Sequence, residues 1–174
     1  MSFLISSKRS FERDALSEAF YVISDILKYD LKPLKSRVPG LSILRLTDES
    51  FDTLDIMSKI KGYIKEKGPL VACLKIVPME CLIKTDLPQI VLQASEKARV
   101  KILPSNSWRV TINKRQSNLR TFEVINEVAE EINWGIVNLT NPDLEIRVEI
   151  IRDLTGISIM KPGSEISMVK YTTD

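Results

Sequence analysis

Seven basic residues fall between positions 97 and 120: Lys97, Arg99, Lys101, Arg109, Lys114, Arg115 and Arg120. No acidic residue lies among them, and Glu96 and Glu123 bracket the run. The whole chain carries a formal net charge of only +2, so the positive charge is placed rather than spread. Trp108 to Arg115 alternates as a strand does. Trp108, Val110 and Ile112 share one face; Arg109, Thr111 and Asn113 share the other. Such a face, ending in Lys114-Arg115, suits phosphate. Guanidinium groups bind its oxygens in pairs, and an ammonium acts as a point charge. The loop Gln116-Ser117-Asn118 then brings Arg120 to the start of a predicted helix, where free N–H groups favour an anion. Lys97, Arg99 and Lys101 end the preceding helix, where cations also serve as partners of the helix dipole. A solvated strand face beside a charged loop remains the other account of the window. Trp108 is expected in the core with Val110 and Ile112 rather than stacked on a base.

Other chemistries are poorly supplied. The chain has no histidine, which removes the commonest general base and the Ser-His-Asp and Cys-His arrangements. No Gly-rich loop follows a strand and opens a helix, so neither a dinucleotide fingerprint nor a phosphate-cradling P-loop is present. Cys73 and Cys81 lack zinc-ligand spacing and read as small buried hydrophobes. Glu145 and Glu149 are expected on a solvated strand face rather than as an acid/base pair. No catalytic residue, cofactor or metal site is expected. No stretch approaches a membrane span, and the short apolar opening Phe3-Leu4-Ile5 is unlike a signal peptide. A reducing, cytoplasmic setting is the expectation.

These residues need elements to hold them. Phe3 to Ile5 reads as a buried strand. Ser10 is expected to cap a helix carrying Phe11, Ala15, Ala19, Val22 and Ile26 on one side. Val38-Pro39-Gly40-Leu41 suits a type II turn, with Leu41 to Leu46 as the second strand of a hairpin. Ser50 is expected to cap a second helix with Phe51, Leu54, Met57, Ile60 and Ile64, and Gly68-Pro69 stops it. Leu70 to Val77 reads as a central strand. Strand, helix, strand, strand, helix, strand is the ferredoxin-like order. Pro78 breaks the pattern and is taken as the boundary. A strand Cys81 to Lys84 follows, then a helix capped by Thr85 or Asp86 with Pro88 in its first turn and Leu87, Val91, Ala94 and Ala98 inward. After the basic strand, a fourth helix carries Phe122, Ile125, Val128, Ala129 and Ile132. Asn141-Pro142-Asp143 is a turn, and Leu144 to Ile150 alternates as a strand with one wet face. A turn at Arg152 to Thr155 returns the chain through Gly156 to Met160.

The stretch Trp-Arg-Val-Thr-Ile-Asn-Lys-Arg, the helix Thr121 to Ile132, and Val137-Asn138-Leu139-Thr140-Asn141-Pro142-Asp143 leading into Val148-Glu149-Ile150 together resemble a THUMP domain. Asn138 stands where that family usually has Asp. The resemblance covers roughly Glu80 to Lys161. It implies an RNA-binding module of tRNA-modifying enzymes, one that holds the acceptor stem and 3′ end and follows a ferredoxin-like subdomain. It also implies similarity to stand-alone archaeal THUMP proteins and to the adaptor that presents tRNA to the cytidine N4-acetyltransferase, a branch that Phe3-Leu4-Ile5-Ser6 and Phe11-Glu12-Arg13 resemble as well. No catalytic domain is expected, because the chain ends soon after the last THUMP strand.

The expected architecture is therefore α+β, with a ferredoxin-like domain (1–79) packed on a THUMP domain (80–165) and a C-terminal tail (166–174). The expected function is a non-catalytic adaptor that binds tRNA and presents it to a separate modifying enzyme, with an N-acetyltransferase first among the candidates. Its expected RNA contacts are Lys97, Arg99, Lys101, Arg109, Asn113, Lys114, Arg115, Asn118 and Arg120. The alternatives are a protein-interaction module whose basic patch meets an acidic partner, and a small enzyme built on unconventional residues.

Overall fold

The computed structural model describes residues 1–172 and divides them into two compact units. The first unites Met1–Met79 with the segment from Ser164 onward, and the second is Glu80–Gly163.

The first unit runs β1 (Ser2–Ser7), α1 (Glu12–Phe20), β2 (Leu31–Leu34), β3 (Leu41–Leu46), α2 (Thr53–Lys67) and β4 (Cys73–Met79). Its sheet order places β4, β1, β3 and β2 side by side, the ferredoxin-like arrangement. Phe3 and Ile5 of β1 meet Leu44 and Leu46 of β3 and Ile76 of β4 under Ala15, Ala19, Ile56 and Ile60 of the two helices. The Val38–Leu41 turn closes as its sequence demands. Leu41 N–H donates to the Val38 carbonyl at 3.1 Å, with Gly40 at φ +77°.

Four local expectations are corrected here. Ser10 has φ +71° and does not cap α1; Phe11 holds that position without a side-chain bond and is exposed, one turn too early to reach the core. Past Phe20 the helix widens into a π-helical segment, Tyr21–Ile26, in which Leu27 N–H reaches back to Val22. Asp52, not Ser50, caps α2, its carboxylate accepting Leu54 N–H at 2.9 Å; this puts Phe51 outside the helix, edge-on to Tyr29 at 5.1 Å. Pro78 lies inside β4 opposite Phe3, beyond the two β4 residues, Lys75 and Ile76, that pair on the strand's other side, so it interrupts nothing.

Those two residues pair with β10 (Ile166–Ser167), which with α5 (Val169–Thr172) occupies most of the expected tail. Ile166 is buried in the first unit's core. Thr173 and Asp174 lie outside the described residues.

The second unit runs β5 (Cys81–Lys84), α3 (Leu87–Lys101), β6 (Ser107–Arg115), α4 (Thr121–Glu131), β7 (Ile136–Val137), β8 (Leu144–Ile151) and β9 (Leu154–Met160). The sheet order is β5-β9-β8-β6-β7, with β6 and β8 parallel and β8 and β9 antiparallel. Asp86 caps α3 by accepting Gln89 N–H at 3.3 Å, with Pro88 in the first turn. The helices cover one face of the sheet. Ile90, Ala94 and Ala98 of α3 and Val124 and Val128 of α4 pack on Trp108, Ile146, Val148 and Ile157. Phe122, expected inward, is 74% exposed, because two residues short of Val124 it lies about 200° around the helix. No described helix is long and apolar enough to cross a membrane. No group of three His, Cys, Asp or Glu among the described residues is placed to hold a metal ion.

Candidate nucleic-acid interface

The basic strand is β6, and its two faces divide as the alternation requires. Trp108 is 2% exposed, and its indole N–H donates to the Trp134 carbonyl at 2.9 Å. Trp134 in turn donates to the Ile102 carbonyl at 3.0 Å. Gly135, at φ +74°, lets the chain pass; a Cβ there would lie 2.8 Å from the Trp108 ring.

The opposite face is not the wet surface expected. Glu145, Arg147 and Glu149 of β8 are 3%, 8% and 5% exposed. Arg147 sits between the two carboxylates, Nε to Glu149 at 2.7 Å and Nη1 to Glu145 at 3.4 Å. Parallel pairing sets β6 in register beside them, Arg109 opposite Glu145 and Asn113 opposite Glu149. Arg109 therefore binds Glu145 at 3.1 Å and the Leu139 carbonyl at 3.1 Å, Thr111 adds a bond to Glu145 at 3.1 Å, and Asn113 donates to Glu149 at 2.9 Å. A buried carboxylate needs such partners. The side chains read as a phosphate-facing row are thus turned to acids of their own sheet.

The two ends of the basic window are separated. The fifteen residues of α3 span about 22 Å. Lys97, Arg99 and Lys101 lie toward its C-terminal end, where β6 begins. There Lys101 pairs with Glu80 at 2.6 Å, and Glu80 also accepts Ile159 N–H at 3.2 Å. Arg99 lies 3.9 Å from Glu131 at the end of α4. Lys97 is half-buried beside Glu80 and Glu96 in a cleft of about 270 Å³.

Lys114, Arg115, Asn118 and Arg120 gather at the far end, all exposed. Lys114 donates to the Leu119 carbonyl at 2.8 Å, fastening the loop to the strand, and Gln116 takes φ +51° to make the bend. Arg120 is the residue before α4 and makes no capping bond with its side chain. Two cations join them that the window did not include. Arg152, in the β8–β9 turn at φ +59°, donates its N–H to the Arg115 carbonyl at 2.8 Å. Lys84 ends β5 opposite Leu154 at the same sheet end. Asp86, Glu123 and Asp153 are the nearby acids in sequence. The turn at Arg152 is legible in the sequence, but the parallel pairing of β6 with β8 that brings it beside Arg115 is not, nor is the pairing of β5 with β9 that sets Lys84 at this end.

The Asn138–Asp143 turn anchors the start of β6. Asn138 Oδ1 accepts the N–H groups of Thr140 and Asn141, and its amide donates to the Asn141 carbonyl at 3.0 Å, a bond that Asp at this position would lack. The Asp143 carboxylate accepts Ser107 N–H at 2.7 Å and Ser107 Oγ at 2.9 Å, and these bonds hold it below the usual carboxylate range. Burial pushes the Cys73 thiol up to about 12 and also raises that of Cys81.

Residues 84–160 match the family model of the THUMP domain. No curated protein matches the chain in sequence. Among solved structures, PH1313 from Pyrococcus horikoshii Ot3 is similar at 17% identity and TM-score 0.64, over 95% of this chain and 54% of that one. A 4-thiouridine synthetase solved with RNA and bound ATP is similar at 13% identity and TM-score 0.61, over 95% of this chain and 41% of that one. TrmN from Thermus thermophilus is similar at 14% identity and TM-score 0.55, over 91% and 45%. The chain thus spans about half the length of these proteins or less, and at these identities the likeness is one of fold.

Proposed function

We propose that the chain binds structured RNA of the tRNA type, with the far end of the second unit's sheet as its principal contact surface. In this reading Lys114, Arg115, Asn118 and Arg120, joined by Arg152 and Lys84, meet phosphates. Lys97, Arg99, Lys101, Arg109 and Asn113 mainly hold the framework through their own ion pairs and hydrogen bonds. The single observation that carries the reading is the convergence of five cations, from three separate stretches of chain, on one sheet end of a unit that matches the THUMP domain. Structured RNA is recognised mostly through shape, phosphate and 2′-OH, so such a surface needs no base-specific code. The complex that the similar 4-thiouridine synthetase forms with RNA supports the same class of partner.

The chain would act without catalysis of its own, as an adaptor presenting tRNA to a separate modifying enzyme, with cytidine N4-acetylation by an N-acetyltransferase as the leading reaction. The lack of histidine supports a non-catalytic role. The second unit, Glu80–Gly163, would make the RNA contact chiefly, while the first, Met1–Met79 with the segment from Ser164 onward, would add to the affinity of the intact chain. Competition tests the partner. Labelled tRNA bound to the full chain should be displaced by unlabelled tRNA and much less by duplex DNA of equal charge. Equal displacement by both would reduce the surface to a general anion binder and favour an acidic protein partner instead.

A further inference from the structure

The first unit carries an open groove of about 590 Å³ between α1 and the β2–β3 hairpin. Leu16, Leu34, Val38 and Leu41 give it an apolar lining, and Arg13, Lys35 and Arg37 line it as well. Glu12 is its one acid, and that carboxylate is already engaged: Oε1 accepts Gly40 N–H at 2.6 Å. The groove therefore combines an apolar surface with a surplus of positive charge.

Its hairpin wall is built in advance. Ser36, buried, donates its hydroxyl to the Leu41 carbonyl at 2.5 Å and accepts Val38 N–H at 3.1 Å. Ser7 N–H holds the Gly40 carbonyl at 2.9 Å. Arg37 sits between these ties at φ +57°, a left-handed conformation that residues with a Cβ seldom adopt. Surroundings must enforce such a conformation, and loops that grip ligands are among the places where it collects. The groove also borders an edge strand, β2. Pro33 removes one backbone donor from that strand, which makes strand addition a poor mode of binding there. An occupant would instead fill the groove with side chains.

We propose that this groove docks a segment of a partner protein that combines large apolar side chains with Asp or Glu. Charge complementarity sets the sign of the partner. The apolar lining favours a protein over nucleic acid, whose phosphate backbone would leave Leu16, Leu34 and Leu41 uncovered while satisfying only the cations. The groove belongs to the first unit and shares no residue with the RNA surface proposed above, on which it does not rest.

Selection of a random peptide display library against the full-length chain tests this, followed by anisotropy measurements on the enriched peptides. Enrichment of sequences bearing both acidic and large apolar residues is expected. Their affinity should fall about tenfold or more in Arg13→Glu with Lys35→Glu, and again in Leu34→Asp. Arg13 and Lys35 are exposed, so the charge reversal should keep the wild-type melting temperature even if Leu34→Asp does not fold. The tRNA affinity of the charge-reversed protein, measured in parallel, should remain at the wild-type value. Failure to enrich, enrichment of basic peptides, or acidic peptides that bind the charge-reversed protein equally well would each overturn the proposal. So would loss of tRNA binding in that protein, which would make the groove part of the RNA surface. Because tRNA binding by the wild-type protein is read separately, failure of the RNA reading would be seen on its own.

Discussion

The backbone N–H of Arg152 donates to the carbonyl of Arg115 at 2.8 Å, so a turn and a strand end far apart in sequence meet at one sheet end, each contributing an exposed arginine. Arg109 and Glu145, at 3.1 Å, form the contrasting pair: the same kind of cation, but spent on a carboxylate that is 3% exposed. The difference between these two relationships makes the arginines separable by experiment.

Arg109→Ala is expected to act on the fold. It leaves Glu145 with Arg147 and Thr111 but removes a charged partner, a loss of about 1–3 kcal/mol. Arg152→Ala should leave the melting temperature unchanged while weakening tRNA binding. Thermal unfolding and tRNA binding of the two variants check this; a reversed pattern would place the RNA face on the Arg109–Thr111–Asn113 row of β6.

Lys114→Ala with Arg115→Ala should weaken tRNA binding and reduce the slope of log K against log salt by roughly one unit for each phosphate no longer held. A salt titration reads it. Wild-type affinity and slope in a folded double variant would remove the strand end from the interface.

Trp108→Ala should cost about 3–5 kcal/mol. Gly135→Ala should also destabilise, because a Cβ meets the Trp108 ring at 2.8 Å and φ is +74°. The two penalties should add only in part, since the truncated indole relieves one contact of the methyl group while the Asn106 carbonyl, 2.9 Å from the same Cβ, and the positive φ remain. Denaturant unfolding of the two single variants and the double variant measures the coupling, and strict additivity would contradict the close approach of Gly135 to the ring. Trp108 fluorescence should be blue-shifted and change little when RNA binds.

The Asp143 carboxyl is held below its ordinary value by the Ser107 N–H and hydroxyl. Its contribution to stability is therefore fully present above the unfolded value, about pH 4, and is lost as pH falls through the lower folded value. Asp143→Asn should flatten this acid limb of the stability profile. Unfolding measured from neutral pH down to about pH 2 tests it, and an acid limb identical to wild type would mean that other groups dominate there.

Much of the fold was legible because local patterns were strong. The Pro39-Gly40 turn, the Asp86 cap and the burial of Trp108 all follow from residues within a few positions of each other. The burial of Glu145 and Glu149 was not legible, because alternation reports that a strand has two faces, not that both are covered. It depends on partners from β6, which is brought alongside only by a parallel pairing across α4. The candidate interface was divided for the same reason. A run of basic residues in sequence is continuous, but α3 and β6 carry its members to opposite ends of the sheet. Only Lys114, Arg115, Asn118 and Arg120 stay together, and Arg152 and Lys84 join them from elsewhere.

The pairing of Ile166–Ser167 with Ile76 and Lys75 makes the first unit discontinuous, with residues 80–163 inserted between two neighbouring strands of its sheet. On the ribosome the order of events follows. All of the inserted unit is synthesised before the strand that completes the first unit's sheet, so the second unit can finish folding while the first still exposes the β4 edge at Ile76. A nascent chain would pass through a stage with one finished unit and one open sheet, the stage at which unpaired strand edges are most prone to aggregate. Completion of the first unit would then serve as a check that the whole of the second has been made.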